Sequence, residues 1–173
     1  MPTRLLLIDD NMDQVVITKK TLAKIGPDYE LDSAPNGKEG IEKLKKNAYD
    51  IVLCDYRLPD LSGIEVLKQM KECGNTTPFI IVTSMGNERL AAEAMKGGAY
   101  DYVVKDASYE EILPEILRQS LERYSERKAL KQERDQLESM NKIMMNREER
   151  ILELKRQVDA LLKELGRPPQ YGG

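Results

Sequence analysis

Four short, unbroken apolar runs constrain this chain more than any other feature. Leu5-Leu6-Leu7-Ile8 stops at Asp9-Asp10, Ile51-Val52-Leu53-Cys54 at Asp55, Phe79-Ile80-Ile81-Val82 at Thr83-Ser84, and Tyr102-Val103-Val104 at Lys105. Continuous apolar runs without alternation are what parallel strands covered on both faces require. A weaker fifth strand is predicted over Tyr29 to Ser33. Amphipathic stretches lie between the runs. Val15 to Ile25 is one, with Val15, Leu22 and Ile25 on the expected inner face. Ile41 with Leu44, Ile64 with Leu67 and Met70, and Leu90 with Ala94 mark three more. Ser108-Tyr109-Glu110-Glu111 has the S-x-x-E form of a capping box and is expected to open a fifth helix. Pro114 lies between one and two turns inside it, where a kink or a 3₁₀ start is expected. Five strands alternating with five helices predict an α/β fold, a doubly wound five-stranded parallel sheet.

The pattern changes near residue 122. Up to Leu121 there are 15 basic and 20 acidic residues; beyond it there are 12 and 10. Glycine and proline vanish from Glu122 to Leu165 and return at Gly166, Pro168, Pro169, Gly172 and Gly173. Missing breakers with mixed charge predict one long exposed helix followed by a frayed tail. Leu130, Leu137, Met144, Ile151, Val158 and Leu165 recur every seventh residue, which puts Glu133, Met140, Arg147, Leu154 and Leu161 at d if these are a positions. Sustained heptads predict a coiled coil. At about 1.5 Å per residue, the helix from Leu130 to Leu165 spans roughly 50 Å. Leu117, Leu121 and Tyr124 follow a different phase and are expected to pack the preceding domain. The chain is thus read as a domain over 1–122, a coiled-coil helix over 123–166 and a flexible tail over 167–173.

Composition closes several routes. Histidine is absent, so the chain has no Ser/His or Cys/His pair, no histidine-ligated metal and no phosphohistidine of its own. Cys54 and Cys73 alone cannot build a four-ligand zinc site, and nothing suggests a secreted disulfide framework. A formal net charge of −3 argues against a nucleic-acid-coating surface, which needs clustered basic charge. The apolar runs are far too short for a membrane span or a signal peptide. A soluble cytoplasmic protein is expected.

In doubly wound sheets the ligand site lies beyond the carboxyl ends of the strands. That rule gathers Asp9, Asp10, Asp55, Thr83 and Lys105 in one crevice. Three carboxylates together favour a hard cation, and oxygen donors suit Mg²⁺. A hydroxyl and an ammonium opposite them suit phosphoryl oxygens. An Asp carboxylate can attack phosphorus and form an aspartyl phosphate, with Mg²⁺ and Lys neutralising the transferring group. Each residue has a plainer use. A lone Asp after a strand is commonly a turn or cap residue, Thr83 could cap a helix, Lys105 could lie on the surface, and Tyr102 could be core. Five compatible residues at four strand ends are harder to explain that way.

The acidic pair in LLLIDD, the segment VLCDYRLPDLSG, the IIVTS strand and the YDYVVK strand together resemble the receiver domain of bacterial two-component response regulators over residues 3 to 122. The resemblance implies a flavodoxin-like sheet of order 2-1-3-4-5. It makes Asp55 the phosphoacceptor, Asp10 a direct Mg²⁺ ligand, Asp9 a ligand acting mainly through water, and the Arg57 backbone carbonyl another ligand. It makes Thr83 a hydrogen-bond donor to the phosphoryl group, Lys105 its ion-pair partner, and Tyr102 the aromatic switch that turns inward behind Thr83. Many receivers have Pro after the matching Lys. Here Asp106 stands there, which removes the residue on which the usual cis bond rests. This KD pattern looks like receivers joined to sensor kinase modules, and ELKRQVDALLKELGRPPQY resembles the helical linkers of multi-domain sensor kinases.

The leading expectation is therefore a response regulator. It would take its phosphoryl group from a histidine kinase or histidine phosphotransfer protein and signal through dimerisation or the coiled-coil helix, with a parallel homodimer expected through Leu130 to Leu165. It would be no enzyme beyond self-phosphorylation from a phosphodonor and slow autodephosphorylation. The alternative is a receiver-plus-linker piece of a larger sensor kinase that transmits signal structurally. A transcription factor is disfavoured, because no helix-turn-helix is legible after residue 122. A dehalogenase-like phosphatase needs a D-x-D pair, whereas Asp9 and Asp10 are adjacent. A flavin module would need a Ser/Thr/Gly-rich phosphate loop after the first strand.

Overall fold

A computed structural model describes residues 2–26, 28–84, 86 and 88–171. Strands β1 (Thr3–Ile8), β2 (Tyr29–Ala34), β3 (Ile51–Asp55), β4 (Phe79–Thr83) and β5 (Asp101–Val104) alternate with helices α1 (Met12–Ile25), α2 (Gly37–Lys46), α3 (Gly63–Glu72), α4 (Glu88–Gly97) and α5 (Tyr109–Glu164). The strands form one parallel sheet of order β2-β1-β3-β4-β5. This is the doubly wound sheet that the apolar runs predict.

Alternate residues of each run serve opposite faces, as the strand period demands. Leu6, Ile8, Val52, Cys54, Phe79 and Ile81 pack with residues of α2, α3 and α4. Leu5, Leu7, Ile51, Leu53, Ile80 and Val82 pack with Leu22 of α1 and Leu113 and Leu117 of α5. These strand residues are fully buried, and each contributes about 1.5–3 kcal/mol from apolar burial.

Two local expectations are corrected. The buried face of α1 is Gln14, Thr18, Thr21 and Leu22, while Ile25 is exposed and Val15 only half-buried. The polar stripe is possible because Thr18 shares a hydrogen bond with the Tyr109 hydroxyl of α5 at 3.1 Å and Thr21 donates to the Ile17 carbonyl. The capping box forms at the other S-x-x-E, Ser62 to Glu65, where it opens α3. At Ser108 the backbone N–H and the hydroxyl both donate to the Asp106 carboxylate, at 2.9 and 2.6 Å, so an Asx turn replaces the box. The entry to α5 carries short i→i+3 bonds, Tyr109 N to Asp106 O and Glu111 N to Ser108 O, and Pro114 follows inside the α-helix. The described peptide bonds are all trans.

The chain divides into two compact units, Met1–Ser125 and Glu126–Gly173. In the second, Leu130, Leu137, Met140, Met144, Ile151, Leu154, Val158, Leu161 and Leu165 are exposed. The helix ends at Gly166, whose φ of +70° allows Gly166 N and Arg167 N to reach the Lys163 and Leu162 carbonyls at 3.1 and 2.8 Å; glycine adopts this conformation without a Cβ penalty. Beyond Pro168 and Pro169, Gln170 N and Tyr171 N donate to Asp159 at 2.7 and 3.1 Å. Gly172 and Gly173, which end the expected flexible tail, lie outside the described residues. Among the described residues, no helix is long and apolar enough to cross a membrane.

Candidate functional site

The chain runs from β1 outward to β2, then returns to β3 on the other side of β1. The reversal opens a crevice beyond the carboxyl ends of β1 and β3. Asp9 follows the last residue of β1, and its N–H donates to the Ala34 carbonyl of β2 at 2.9 Å. Its Oδ1 accepts the Asn11 N–H at 3.0 Å, and Asn11 in turn caps α1. Asp55 is the last residue of β3. Carboxylate oxygens of Asp9, Asp10 and Asp55 lie within 4.8 Å of one another. Asp9 and Asp55 are buried and Asp10 is exposed. The mixture supplies an interior wall and an open mouth.

Lys105, just past β5, closes the crevice. Its Nζ lies 2.6 Å from Asp9 Oδ2 and 3.2 Å from Asp55 Oδ2, with only 11% of its side chain exposed. The reading of Lys105 as an ordinary surface lysine is thereby excluded. Its backbone N–H donates to the Thr83 carbonyl at 2.7 Å, so the end of β4 fixes where the lysine starts. Thr83 is buried. Tyr102 is half-buried and packs against the core on the α2–α3–α4 face. The backbone carries Arg57 just beyond Asp55, in the loop between β3 and α3, with its side chain exposed.

Charge decides what the crevice accepts. Burial pushes the Asp55 carboxyl upward and the Asp9 charge adds to this, while Lys105 and the Arg57 amide pull it back without cancelling the rise. For Lys105, burial alone favours the neutral amine. The hydrogen bond and charge of Asp9, joined by Asp55, outweigh it, and the ammonium is held above its usual range. One ammonium among three carboxylates leaves an excess of negative charge. All the donors facing that excess are oxygens, which fits a hard divalent cation such as Mg²⁺. Neighbouring Cys54 does not compete as a nucleophile: burial and then the Asp55 charge push its thiol well up.

The loop between β3 and α3 is built around close approach. A Cβ on Gly63 would stand 2.6 Å from the Asp55 carbonyl oxygen. Gly63 N donates to the Tyr56 carbonyl at 2.9 Å, and Arg57 and Ser62 form a β-bridge across the loop. The crevice therefore unites Asp9, Asp10, Asp55 and Lys105 directly, while Thr83 is tied to it through the Lys105 backbone and Arg57 follows Asp55 by two residues. Sequence reasoning passed over Asp60, whose carboxylate takes the Gly37 and Lys38 amides at 2.8 and 2.9 Å. It also missed Tyr109, whose hydroxyl shares a hydrogen bond with Thr18 of α1. Both act on partners distant in sequence, and no local motif announces them.

At the switch point of a 2-1-3-4-5 sheet the chain thus sets an acidic crevice that could hold a metal ion, closed by a lysine. The chain belongs to the response regulator receiver domain family, which it matches over residues 5–117. It is 34% identical over 106 residues to the chemotaxis protein CheY of Thermotoga maritima, a match covering 61% of this chain and 87% of that protein. It is 33% identical over 108 residues to the transcriptional regulatory protein ZraR of Klebsiella oxytoca, covering 62% of this chain and 24% of that one. The match thus spans about a quarter of ZraR. A receiver domain from Clostridium thermocellum superposes with a TM-score of 0.64 at 28% identity, covering 71% of this chain and 97% of that one. The receiver domain of a LuxO repressor protein from Vibrio parahaemolyticus gives a TM-score of 0.69 at 23% identity, covering 75% and 98%.

Proposed function

We propose that the chain is a cytoplasmic, phospho-accepting response regulator that takes its phosphoryl group on Asp55 from a histidine kinase or histidine phosphotransfer protein. The observation that carries this reading is the Lys105 ammonium held between Asp9 and Asp55, beside Asp10. A carboxylate oxygen of Asp55 attacks the phosphorus of a phosphohistidine. The P–N bond breaks, the imidazole leaves with a proton, and an acyl phosphate remains on Asp55. Asp10 and Asp55, the Arg57 carbonyl, and Asp9 through water would hold Mg²⁺. Bound there, the cation offsets negative charge on the incoming group. Lys105 exchanges a carboxylate for a phosphoryl oxygen. Thr83 donates its hydroxyl to the phosphoryl group, and Tyr102 turns inward behind it.

The output proposed is a parallel homodimer through Leu130 to Leu165. The a and d residues Ile151, Leu154, Val158 and Leu161 support it, since β-branched a with Leu at d favours two parallel strands. The same exposed heptads also favour a second reading, a receiver-plus-linker piece of a larger sensor kinase. Incubation with labelled acetyl phosphate tests the shared core of both. Mg²⁺-dependent labelling that Asp55→Asn abolishes is expected; label retained by the folded Asn variant would overturn the assignment.

A further inference from the structure

Asp60 stands five residues after Asp55, at the tip of the loop that carries the Arg57 carbonyl. Its two carboxylate oxygens reach a neighbouring element as well as the Asp60 and Leu61 amides of its own loop. Oδ1 accepts the Gly37 N–H at 2.8 Å and Oδ2 the Lys38 N–H at 2.9 Å. These are the first two residues of α2. Asn36, the local cap, takes the Glu39 N–H instead, at 2.9 Å. The amide donors of the first turn, which a helix cannot pair internally, are thus divided between a local residue and one 22 to 23 residues away. A negative charge at this end also suits the helix dipole. Burial pushes the Asp60 carboxyl up, and the Lys38 and Gly37 amides, joined by those of Asp60 and Leu61, outweigh it and hold the group below the usual range.

The other contacts of α2 give the clamp its meaning. A Cβ on Gly40 would meet the Ile8 side chain at 2.4 Å, and one on Gly37 would meet Val66 and Leu61 at 2.9 and 3.0 Å. Helix α2 is therefore pressed onto Ile8, the last residue of β1, whose next two residues are Asp9 and Asp10. Its first turn is pressed onto the Asp55 loop. Asp60 locks the two together. On one side of the clamp lie the carboxylates of β1, and on the other lie Asp55 and the Arg57 carbonyl.

We propose that Asp60 is a positioning residue for the divalent-cation site. It holds the Arg57 carbonyl in register with Asp9 and Asp10 and so sets the affinity of the site for Mg²⁺. This rests on the reading of Arg57 as a carbonyl ligand given above. Losing a partner that orients a ligand without touching the metal typically costs about 10–100-fold in metal affinity.

Isothermal titration of the full chain with MgCl₂ tests it, with circular dichroism as a check on folding. Asp60→Ala is expected to weaken Mg²⁺ binding by about tenfold and to move the Mg²⁺ dependence of acetyl phosphate labelling to higher concentration by the same factor. The rate at saturating Mg²⁺ should stay near that of the unmodified chain. Asp60→Asn, which keeps one acceptor oxygen, should fall between and remains folded if the Ala variant does not. A purely structural cap would lower the melting temperature equally with and without Mg²⁺ and leave affinity unchanged, and that result would overturn the proposal. If the unmodified chain bound no Mg²⁺, or bound it undiminished after Asp10→Asn, the site reading itself would fall.

Discussion

Lys105 and Asp9 form an ion pair of 2.6 Å with the Asp9 side chain wholly out of solvent, and the ammonium stands 3.2 Å from Asp55. The closer partner is Asp9 and not Asp55, the proposed phosphoryl acceptor. On that proposal the acceptor keeps the looser share of the lysine, and Lys105 could be drawn to a new anion on Asp55 while remaining beside Asp9. Burial and the proximity of Asp9 leave Asp55 less content as a carboxylate than an ordinary surface Asp.

That discontent has a direction in pH. A carboxyl whose pKa is raised in the fold favours its protonated form there. Its contribution to stability is fully present below the ordinary carboxylate value and is lost as pH rises through the raised one. At neutral pH ionised Asp55 is a net cost, so Asp55→Asn should melt roughly 2–5 °C higher than the unmodified chain without Mg²⁺. The gap should close as pH is lowered into the carboxylate range. Thermal unfolding at neutral and acid pH measures both, and a lower melting point for the Asn variant at neutral pH would reverse the sign.

Removing the lysine leaves Asp9 and Asp55 facing each other without a cation. Lys105→Met should lose roughly 3–5 kcal/mol of stability in the absence of Mg²⁺. Mg²⁺ should then raise its melting temperature more than it raises that of the unmodified chain, because the competing ammonium has gone. Equal Mg²⁺ shifts in the two proteins would mean that the lysine and the metal do not share Asp9 and Asp55.

Gly63 is required by space. Its missing Cβ would sit 2.6 Å from a backbone oxygen of Asp55, which cannot step aside as a flexible side chain can. Gly63→Ala should cost roughly 1–3 kcal/mol and slow labelling of Asp55, read by chemical denaturation and by acetyl phosphate labelling on the same samples.

Ser120 is fully buried on α5, and its hydroxyl finds no hydrogen-bond partner among the described residues. An unmade buried hydrogen bond carries a desolvation cost of about 1–3 kcal/mol, so Ser120→Ala should be neutral or stabilising in urea unfolding. Tyr109→Phe tests the opposite case. It strips Thr18 of its partner at 3.1 Å and should destabilise by about 1–2 kcal/mol.

Truncation after Arg123 removes the heptads and should give a monomeric domain in sedimentation, where the full chain is expected to sediment as a dimer. A dimeric truncated form would place the contact on the domain instead. Introducing Asp at Leu154 and Leu161 of the full chain should have the same effect as truncation, since both are exposed d residues.

The sheet was readable because both faces of β1, β3 and β4 are covered, so their strands are apolar throughout and stop where the crevice begins. Asp9, Asp55 and Lys105 were found by that stop. The inner face of α1 was not. Hydropathy favours Ile25, yet the fold buries Thr18, whose hydroxyl partner Tyr109 lies 91 residues further on. Two S-x-x-E segments looked alike in sequence. Only in the fold does Asp106 intercept Ser108 while Ser62 is left to pair with Glu65. Asp60 had no local signature, since its meaning depends on α2 arriving at the loop.

The most direct test of phosphoryl acceptance at this crevice is chemical trapping. After incubation with acetyl phosphate and Mg²⁺, borohydride reduces an aspartyl phosphate to homoserine, and peptide mass mapping then locates the altered residue. Homoserine at position 55 alone is the expected result. Homoserine at position 9 or 10, or at none of the three in a chain that has taken up label, would contradict the assignment of Asp55 as the acceptor.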